Sequence, residues 1–340
     1  MYRIQLTTRD GQQLSFNCAP EQSLIAAAAA ADIILPNQCQ RGSCGACLAR
    51  VTAGDYSLGE HNPEALPAND TGSILMCRTS PRSDLSITLP HDRSRILFHT
   101  IKHRSAEIIA LDSIAVNTVR LELRLDPDGD GNGAAEFEPG QFMELEIPGC
   151  GEHRAYSLAN TPNWDGVLEF LIRLQAQGRF STFLREHAQP GMKLMLRGPL
   201  GSFGIQEGSL RARWFVAGGT GLAPMLAMVR RMAELQEMQE ARLFFGVNQE
   251  NELFALEELW RLRSELPHFD VDICVWRPKA DWHGFIGTPA EALRQALAAT
   301  AARPDLYLCG PAPLIDTAEK VATAAGLPPE QVFSERFLPG

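Results

Sequence analysis

Hydrophobic and polar positions alternate residue by residue at the start of the chain, a pattern that indicates β-strands. Two such runs, Tyr2–Thr7 and Gln13–Asn17, flank a turn and predict a hairpin. The alanine-rich Ser23–Ala31 predicts a helix with Ser23 as its N-cap. Ser86–Leu89 predicts a closing strand, and the polar run His91–Arg95 that follows it predicts a linker.

The middle of the chain has short alternating runs that are separated by turn residues. This spacing predicts a small antiparallel β-barrel with one helix, Ser181–His187. The predicted strands are Ala106–Leu111, Thr118–Leu125, Phe142–Ile147, Leu168–Leu174 and Lys193–Arg197.

The last part of the chain alternates strand and helix patterns, which predicts a parallel sheet with right-handed crossovers. The predicted strands are Trp214–Ala217, Leu243–Val247, Val271–Trp276, Leu306–Cys309 and Gln331–Phe337. The predicted helices are Pro224–Glu237, Leu253–Glu265, Pro289–Ala299 and Ala312–Ala325. The chain is therefore expected to be a multidomain α+β and α/β protein with domains at 1–97, 98–208 and 209–340.

Composition and charge argue against several classes of function and location. The net charge of −10 argues against a nucleic-acid partner, which would call for a basic face. The most apolar run, Ile25–Ala31, is far shorter than the ~20 residues of a membrane-spanning helix. Because the strand-like N-terminus does not resemble a secretion signal, a cytoplasmic location without membrane partners is expected.

Three cysteines are crowded into one short segment, QCQRGSCGAC. Cys39, Cys44 and Cys47 have the spacing C-x4-C-x2-C, and Cys77 follows from a separate apolar run. This is the plant-type spacing of a [2Fe–2S] cluster with four thiolate ligands. A zinc site or ordinary buried thiols are the alternatives, but zinc sites usually add a second Cys or His pair, which this sequence lacks.

A second group of residues in the barrel segment suits a flavin. Arg154 can clamp a diphosphate, Tyr156 can lie against a flavin ring, and Ser157 can donate a hydrogen bond to that ring. On its own, the tetrapeptide Arg154–Ser157 would equally fit a surface strand. The supporting positions, at a strand end and at a helix N-terminus that could bind phosphate, are Leu171, Ile172, Arg173, Gly178 and Ser181.

A third group suits a nicotinamide dinucleotide. A glycine-rich loop follows an apolar strand and precedes a helix, the position where α/β sheets bind phosphates. Its residues are Gly218, Gly219, Thr220 and Gly221, and Cys309, Gly310 and Pro311 end another strand at the same edge. Cys309 could instead be a small buried side chain, and Phe337 could be core instead of a cover for the flavin. The acidic run Asn248–Glu252 favours NADH over NADPH.

With these motifs in this order, the chain resembles the reductase component of soluble methane monooxygenase and of related bacterial multicomponent di-iron monooxygenases. The resemblance covers essentially all 340 residues. It is carried by FEPGQFM (Phe137–Met143), LEFLIR (Leu168–Arg173), VAGGTGLAP (Val216–Pro224), FFGVN (Phe244–Asn248), YLCGP (Tyr307–Pro311) and VFSERFLP (Val332–Pro339). It implies a β-grasp ferredoxin domain, an antiparallel β-barrel FAD domain and a parallel-sheet NAD domain.

The resemblance also implies roles for single residues. Cys39, Cys44, Cys47 and Cys77 would hold the cluster, and the two later groups would hold FAD and NADH. The catalytic set would be Ser157, Cys309, Glu335 and Phe337, with Glu335 handling a proton and Phe337 covering the flavin.

The implied function is electron transfer from NADH through FAD and the cluster to the hydroxylase of a multicomponent monooxygenase. Three alternatives stay open: a reductase for a Rieske-type dioxygenase, a reductase for a deoxysugar dehydrase, and a redox-sensing protein.

Overall fold

The computed structural model describes residues 1–37, 40–43, 45–67, 70, 72–98, 101–206 and 208–337. Two compact units account for the chain. One comprises Met1–Lys102 with Leu200–Ser202, and the other comprises His103–Pro199 with Phe203–Gly340. No helix among the described residues is long and apolar enough to cross a membrane.

In its described residues, the first unit has a mixed five-stranded sheet, one α-helix and a separate two-stranded ribbon. Its elements are β1 (Tyr2–Thr7), β2 (Gln13–Cys18), α1 (Leu24–Ala30), β3 (Leu48–Ala53), β4 (Tyr56–Leu58), β5 (Ser73–Leu75), β6 (Thr79–Pro81) and β7 (Leu85–Thr88). The sheet order is β2-β1-β7-β3-β5, and β4 pairs with β6. β1 runs antiparallel to β2 and parallel to β7, so the chain returns to the middle of the sheet at the end of the unit.

Local chemistry explains helix α1. Ser23 is its N-cap, as predicted, and its hydroxyl accepts a hydrogen bond from the Ala26 N–H at 3.3 Å. Alanine favours the helix because it loses no side-chain entropy there. The side chains of Leu24 and Ile25 are buried in the core of the unit and hold the helix against it.

The segment that was predicted to be a linker is held against the first unit. Residues Arg93–Arg95 form a 3₁₀ turn, and Arg9 pairs with Asp92 at 2.5 Å. Leu97 exchanges two backbone hydrogen bonds with Ile34, at 2.8 and 3.1 Å. The polar composition of this segment could not predict these contacts, because each contact joins residues that are far apart in sequence.

The second unit begins with a six-stranded antiparallel barrel. Its elements are β8 (His103–Ala115), β9 (Thr118–Leu125), β10 (Phe142–Glu146), β11 (His153–Ser157), β12 (Val167–Arg173), α2 (Arg179–Glu186) and β13 (Lys193–Leu200). The strand order is β11-β10-β13-β8-β9-β12, and an antiparallel bridge between Leu158 and Phe170 closes the barrel. Fully buried apolar side chains such as Leu121, Leu123 and Phe170 fill its interior.

A parallel sheet follows in the same unit. Its elements are β14 (Arg213–Gly218), α3 (Leu222–Glu234), β15 (Ala241–Val247), α4 (Leu256–Glu265), β16 (Phe269–Val275), β17 (Phe285–Ile286), α5 (Pro289–Ala298), β18 (Asp305–Pro311), α6 (Ala312–Ala324) and β19 (Val332–Phe337). The order is β17-β16-β15-β14-β18-β19. The order reverses between β14 and β18, and ligands of open α/β sheets bind at such a switch point.

Three helix starts differ from the prediction, and the first is that of α2, which begins at Arg179 instead of Ser181. Helix α3 begins at Leu222, because a 3₁₀ turn at Gly219–Gly221 leads into it. Helix α4 begins at Leu256, after a 3₁₀ turn at Glu250–Glu252 and a left-handed residue, Ala255, with φ of 57°. Turn geometry of this kind leaves little trace in hydrophobic periodicity.

Candidate redox cofactor sites

Two of the predicted cluster ligands lie together in the first unit. Cys47 immediately precedes β3, and Cys77 lies in the turn between β5 and β6. β3 and β5 are paired, with Leu48 opposite Leu75, and the Met76 N–H donates to the Cys47 carbonyl at 3.0 Å. Both cysteines are buried, and two thiolate donors at one place are the donor chemistry that an iron–sulfur cluster needs. Cys39 and Cys44 lie outside the described residues.

Gly42 lies tightly against Arg78, the residue that follows Cys77. It has φ of +78°, and a Cβ there would lie 2.7 Å from Arg78 Cγ and 2.8 Å from His61 Cβ. Only glycine fits both the conformation and the space. The loop therefore closes on the residue that follows Cys77, as a loop that wraps a small cluster should.

The predicted flavin residues lie on β11. Tyr156 is partly buried, its ring centroid lies 5.4 Å from that of Phe180 on α2, and burial raises the pKa of its phenol. Ser157, the next residue, points to the opposite face, where it is 6% exposed. The strand therefore presents the tyrosine towards α2 and the serine towards the parallel-sheet domain.

An anion site lies where β11 meets the start of α2. Gly178 is the N-cap of α2 and provides no side-chain cap, so the first N–H groups of the helix are available to a phosphate. Arg154 donates to the carboxylate of Glu152 at 2.9 Å, and Arg179 pairs with the other oxygen of the same carboxylate. Glu152 shows that an anion fits between the two guanidinium groups, so these residues suit the diphosphate of FAD.

The supporting flavin positions fall into two kinds. Ser181 is buried and its hydroxyl accepts from the Gln175 N–H at 2.9 Å, so it shapes the turn before α2. Ile172 packs inside the barrel, and Arg173 is exposed at the end of β12. Leu171 packs against the core of the parallel-sheet domain instead. Because its side chain is buried inside the barrel, Ile172 can contact a cofactor through its backbone alone.

The predicted dinucleotide residues meet at the carboxyl edge of β14 and β18. A Cβ on Gly221 would lie 2.2 Å from the Cys309 carbonyl oxygen, so this position requires glycine. Gly310 also lies against Gly218, with its Cβ position 3.1 Å from the Gly218 nitrogen. Thr220 is partly exposed between these glycines, in the turn that leads into α3. The two loops thus form one surface at the switch point, where a dinucleotide would bind.

Three predicted catalytic residues converge between the barrel and the parallel sheet. The Ser157 hydroxyl donates to Glu335 Oε2 at 2.9 Å, and Cys309 Sγ lies 3.9 Å from the same oxygen. All three are buried. Burial, with the neighbouring charge and hydrogen bond of Glu335, raises the pKa of the Cys309 thiol. Phe337 is partly buried opposite Pro311 in the β18–β19 register.

Sequence reasoning missed Glu152 and Arg179 as parts of the anion site. Glu152 lies two residues before Arg154, and Arg179 directly follows Gly178. Their charges beside these two motifs were the signal that the sequence offered. It also missed Arg230 on α3, for which the sequence offers no signal beyond a charge in an apolar helix.

Comparison with known proteins gives a family for each part of the chain. Residues 7–82 match the family described as 2Fe-2S iron-sulfur cluster binding domain. Residues 105–205 match the oxidoreductase FAD-binding domain, and residues 215–320 match the oxidoreductase NAD-binding domain. The three families occur in the order that the sequence predicted.

Two relatives extend over most of the chain. Methane monooxygenase component C of Methylosinus trichosporium is 41% identical over 278 residues, 81% of this chain and 81% of that protein. The ferredoxin–NAD(+) reductase component of the alkene monooxygenase system of Xanthobacter autotrophicus is 33% identical over 329 residues, 95% of this chain and 98% of that protein. This chain belongs to the family of monooxygenase reductase components.

A solved structure agrees with the fold of the reductase. The cytochrome P450 reductase of Amycolatopsis matches it with a TM-score of 0.82 at 26% identity, over 99% of both chains. The reductase is an oxidoreductase with a [2Fe–2S] domain, an FAD domain and an NAD domain, so the predicted fold class and cofactors are confirmed.

Proposed function

We propose that the reductase passes electrons from NADH, through FAD and its [2Fe–2S] cluster, to the hydroxylase component of a multicomponent di-iron monooxygenase. The contact of Ser157 with Glu335 carries this proposal, because it joins the flavin strand to the nicotinamide edge at 2.9 Å. Hydride transfer needs its two partners within contact distance, and this junction is where the two predicted sites meet.

Each cofactor has residues to hold it. Arg154, Arg179 and the N-terminus of α2 would hold the FAD diphosphate, and the loop Gly218–Gly221 would hold the dinucleotide. Cys39, Cys44, Cys47 and Cys77 would ligate the cluster. When bound, FAD can accept a hydride and release single electrons, which the cluster carries one at a time.

The buried junction orients a hydroxyl that can supply a proton. Glu335 accepts the Ser157 hydroxyl hydrogen, so the carboxylate fixes where that hydroxyl points, and a proton that Ser157 Oγ gives up would be replaced by one held on the Glu335 carboxyl. The raised pKa of Cys309 keeps its thiol neutral, so it serves as a small uncharged wall beside the nicotinamide edge. Phe337 would shield this edge from water.

An anaerobic titration with NADH tests the electron path. We expect the flavin absorbance to bleach, followed by the EPR signal of a reduced [2Fe–2S] cluster. A bleached flavin with a silent cluster would break the proposed path and favour the redox-sensing alternative.

Reconstitution identifies the acceptor. The relatives named for methane and alkene monooxygenases support a di-iron hydroxylase, whereas the structural neighbour is named as a cytochrome P450 reductase. We expect substrate turnover with a di-iron hydroxylase. Turnover only with a Rieske-type dioxygenase, a deoxysugar dehydrase or a cytochrome P450 would assign the reductase to that acceptor instead.

The preference for NADH gives a further prediction. Glu252 accepts from the Asn248 N–H at 3.1 Å, and Glu250 accepts from the Lys279 N–H at 2.7 Å, so two carboxylates lie at the carboxyl end of β15. Their charge would repel a 2′-phosphate. Combined Glu250→Gln and Glu252→Gln substitution should raise kcat/KM for NADPH about tenfold and leave that for NADH within a factor of about two.

Glu265→Gln is the matched control, because Glu265 lies at the far end of α4 and pairs with Arg261 at 2.7 Å. An unchanged NADPH efficiency in the double variant would show that these carboxylates do not select the cofactor.

A further inference from the structure

Arg230 makes an extensive set of contacts between the barrel and the parallel-sheet domain. It lies on α3, the helix that follows the glycine loop, and its side chain is 18% exposed. Nε and Nη2 donate to the two carboxylate oxygens of Glu258 on α4, at 2.7 and 2.8 Å. Nη1 donates to Glu169 Oε2 on β12 at 2.6 Å and to the Ala159 carbonyl at 2.9 Å.

The two barrel partners of Arg230 lie close in sequence to the flavin residues: Glu169 is on β12, and Ala159 follows the end of β11. Ala159 lies two residues after Ser157, and Glu169 lies two residues before Leu171. The Ala159 N–H also donates to the Glu169 carbonyl at 2.9 Å, so the two segments are joined at this point. Arg230 therefore holds both segments to the helix that begins at the nicotinamide loop.

Charge and burial distinguish Arg230 from its neighbour. Burial opposes the charge of the guanidinium, yet the hydrogen bonds and charges of Glu258 and Glu169 outweigh it and raise the pKa of Arg230. Arg231, the next residue, is 43% exposed and pairs with Glu234 in its own helix. Of these two arginines, therefore, Arg230 is the one that makes both a bidentate pair, with Glu258, and a pair across the two domains, with Glu169.

We propose that Arg230 is a positioning residue for hydride transfer, which sets α3 and the nicotinamide loop against the strands that carry Ser157 and Leu171. It acts through the helix and the strands and does not touch the reacting atoms. The inference rests on the proposed transfer of a hydride from NADH to FAD.

Two conservative variants test this role. Glu169→Gln keeps the side-chain volume and removes the ionic link to the barrel, and Arg230→Lys keeps the charge but loses the fork that reaches three partners. Anaerobic stopped-flow flavin reduction at several NADH concentrations separates the limiting rate from Kd. We expect the limiting rate to fall about 10- to 100-fold, with Kd for NADH changed less than about threefold and FAD content unchanged.

Arg242→Met is the matched control, because Arg242 pairs with Asp272 at 2.7 Å entirely within the parallel sheet. It should lower the melting temperature and leave the limiting rate at the wild-type value. Wild-type limiting rates in Glu169→Gln and Arg230→Lys would overturn the positioning role, as would losses that follow thermal stability in all three variants. If NADH fails to reduce the wild-type flavin, the proposed function fails instead, and the two failures are thereby distinguished.

Discussion

Cys77→Ser is expected to slow electron delivery to one-electron acceptors such as cytochrome c by at least about 100-fold, since removing even an outer-shell partner of a metal ligand costs about 10–100-fold. The structure places Cys77 beside Cys47 at the paired ends of β3 and β5, where both are buried. A serine hydroxyl stays protonated where a thiolate is needed, so the cluster should be lost. NADH-driven reduction of ferricyanide, which takes electrons directly from flavin, should persist.

Cys18→Ser is the control for this substitution. Cys18 is as deeply buried as the proposed ligands, but burial raises the pKa of its thiol to about 11 and it donates weakly to the Gln22 carbonyl at 3.4 Å. The Cys18→Ser variant should keep a full cluster EPR signal and the wild-type rate of cytochrome c reduction. A Cys77→Ser variant that keeps both would exclude Cys77 as a ligand.

The features that sequence reasoning reached are those that local chemistry determines. Ser23 could be identified as an N-cap because the cap and its hydrogen-bond partner, Ala26, lie within four residues of each other. The loop Gly218–Gly221 could be placed because an apolar strand precedes it and an apolar helix follows it. Family resemblance, and no local pattern, is the ground on which Glu335 and Phe337 are predicted as catalytic residues.

The features that it missed depend on contacts between distant parts of the chain. Arg230 meets Ala159 and Glu169 only after the barrel has closed and α3 has packed against it. Glu152 becomes part of an anion site only because α2 returns Arg179 to it. In the sequence Glu152 is only a charged neighbour of Arg154 and Arg230 is only a charge in an apolar helix, and neither pattern predicts these contacts.

The strand order explains why the catalytic candidates meet. β14, β18 and β19 are adjacent and parallel, so Ala217, Cys309 and Glu335 form one row across the sheet. This row places Glu335 where a barrel strand can present Ser157 to it. The junction is thus a product of sheet register and domain packing together, and a shift of β19 by one residue would turn Glu335 to the other face.

Ser157→Ala and Glu335→Gln should each lower the limiting rate of flavin reduction by NADH about 10²- to 10³-fold, or about 3–4 kcal/mol in activation free energy. The reason is that the two side chains form one buried hydrogen-bonded unit at 2.9 Å: Ser157→Ala removes the donor, and Glu335→Gln removes the carboxylate charge and its capacity to hold a proton. Stopped-flow absorbance of the flavin measures the rate, and FAD content confirms that the cofactor is retained.

The double variant decides whether the two residues act as a unit. We expect Ser157→Ala with Glu335→Gln to be little slower than either single variant, because residues that share one interaction are not additive. Ser113→Ala, an exposed serine on β8, should be as fast as wild type. Effects that multiply in the double variant would mean that Ser157 and Glu335 contribute separately, with Ser157 acting on the flavin alone and Glu335 serving the packing of β19 against β18.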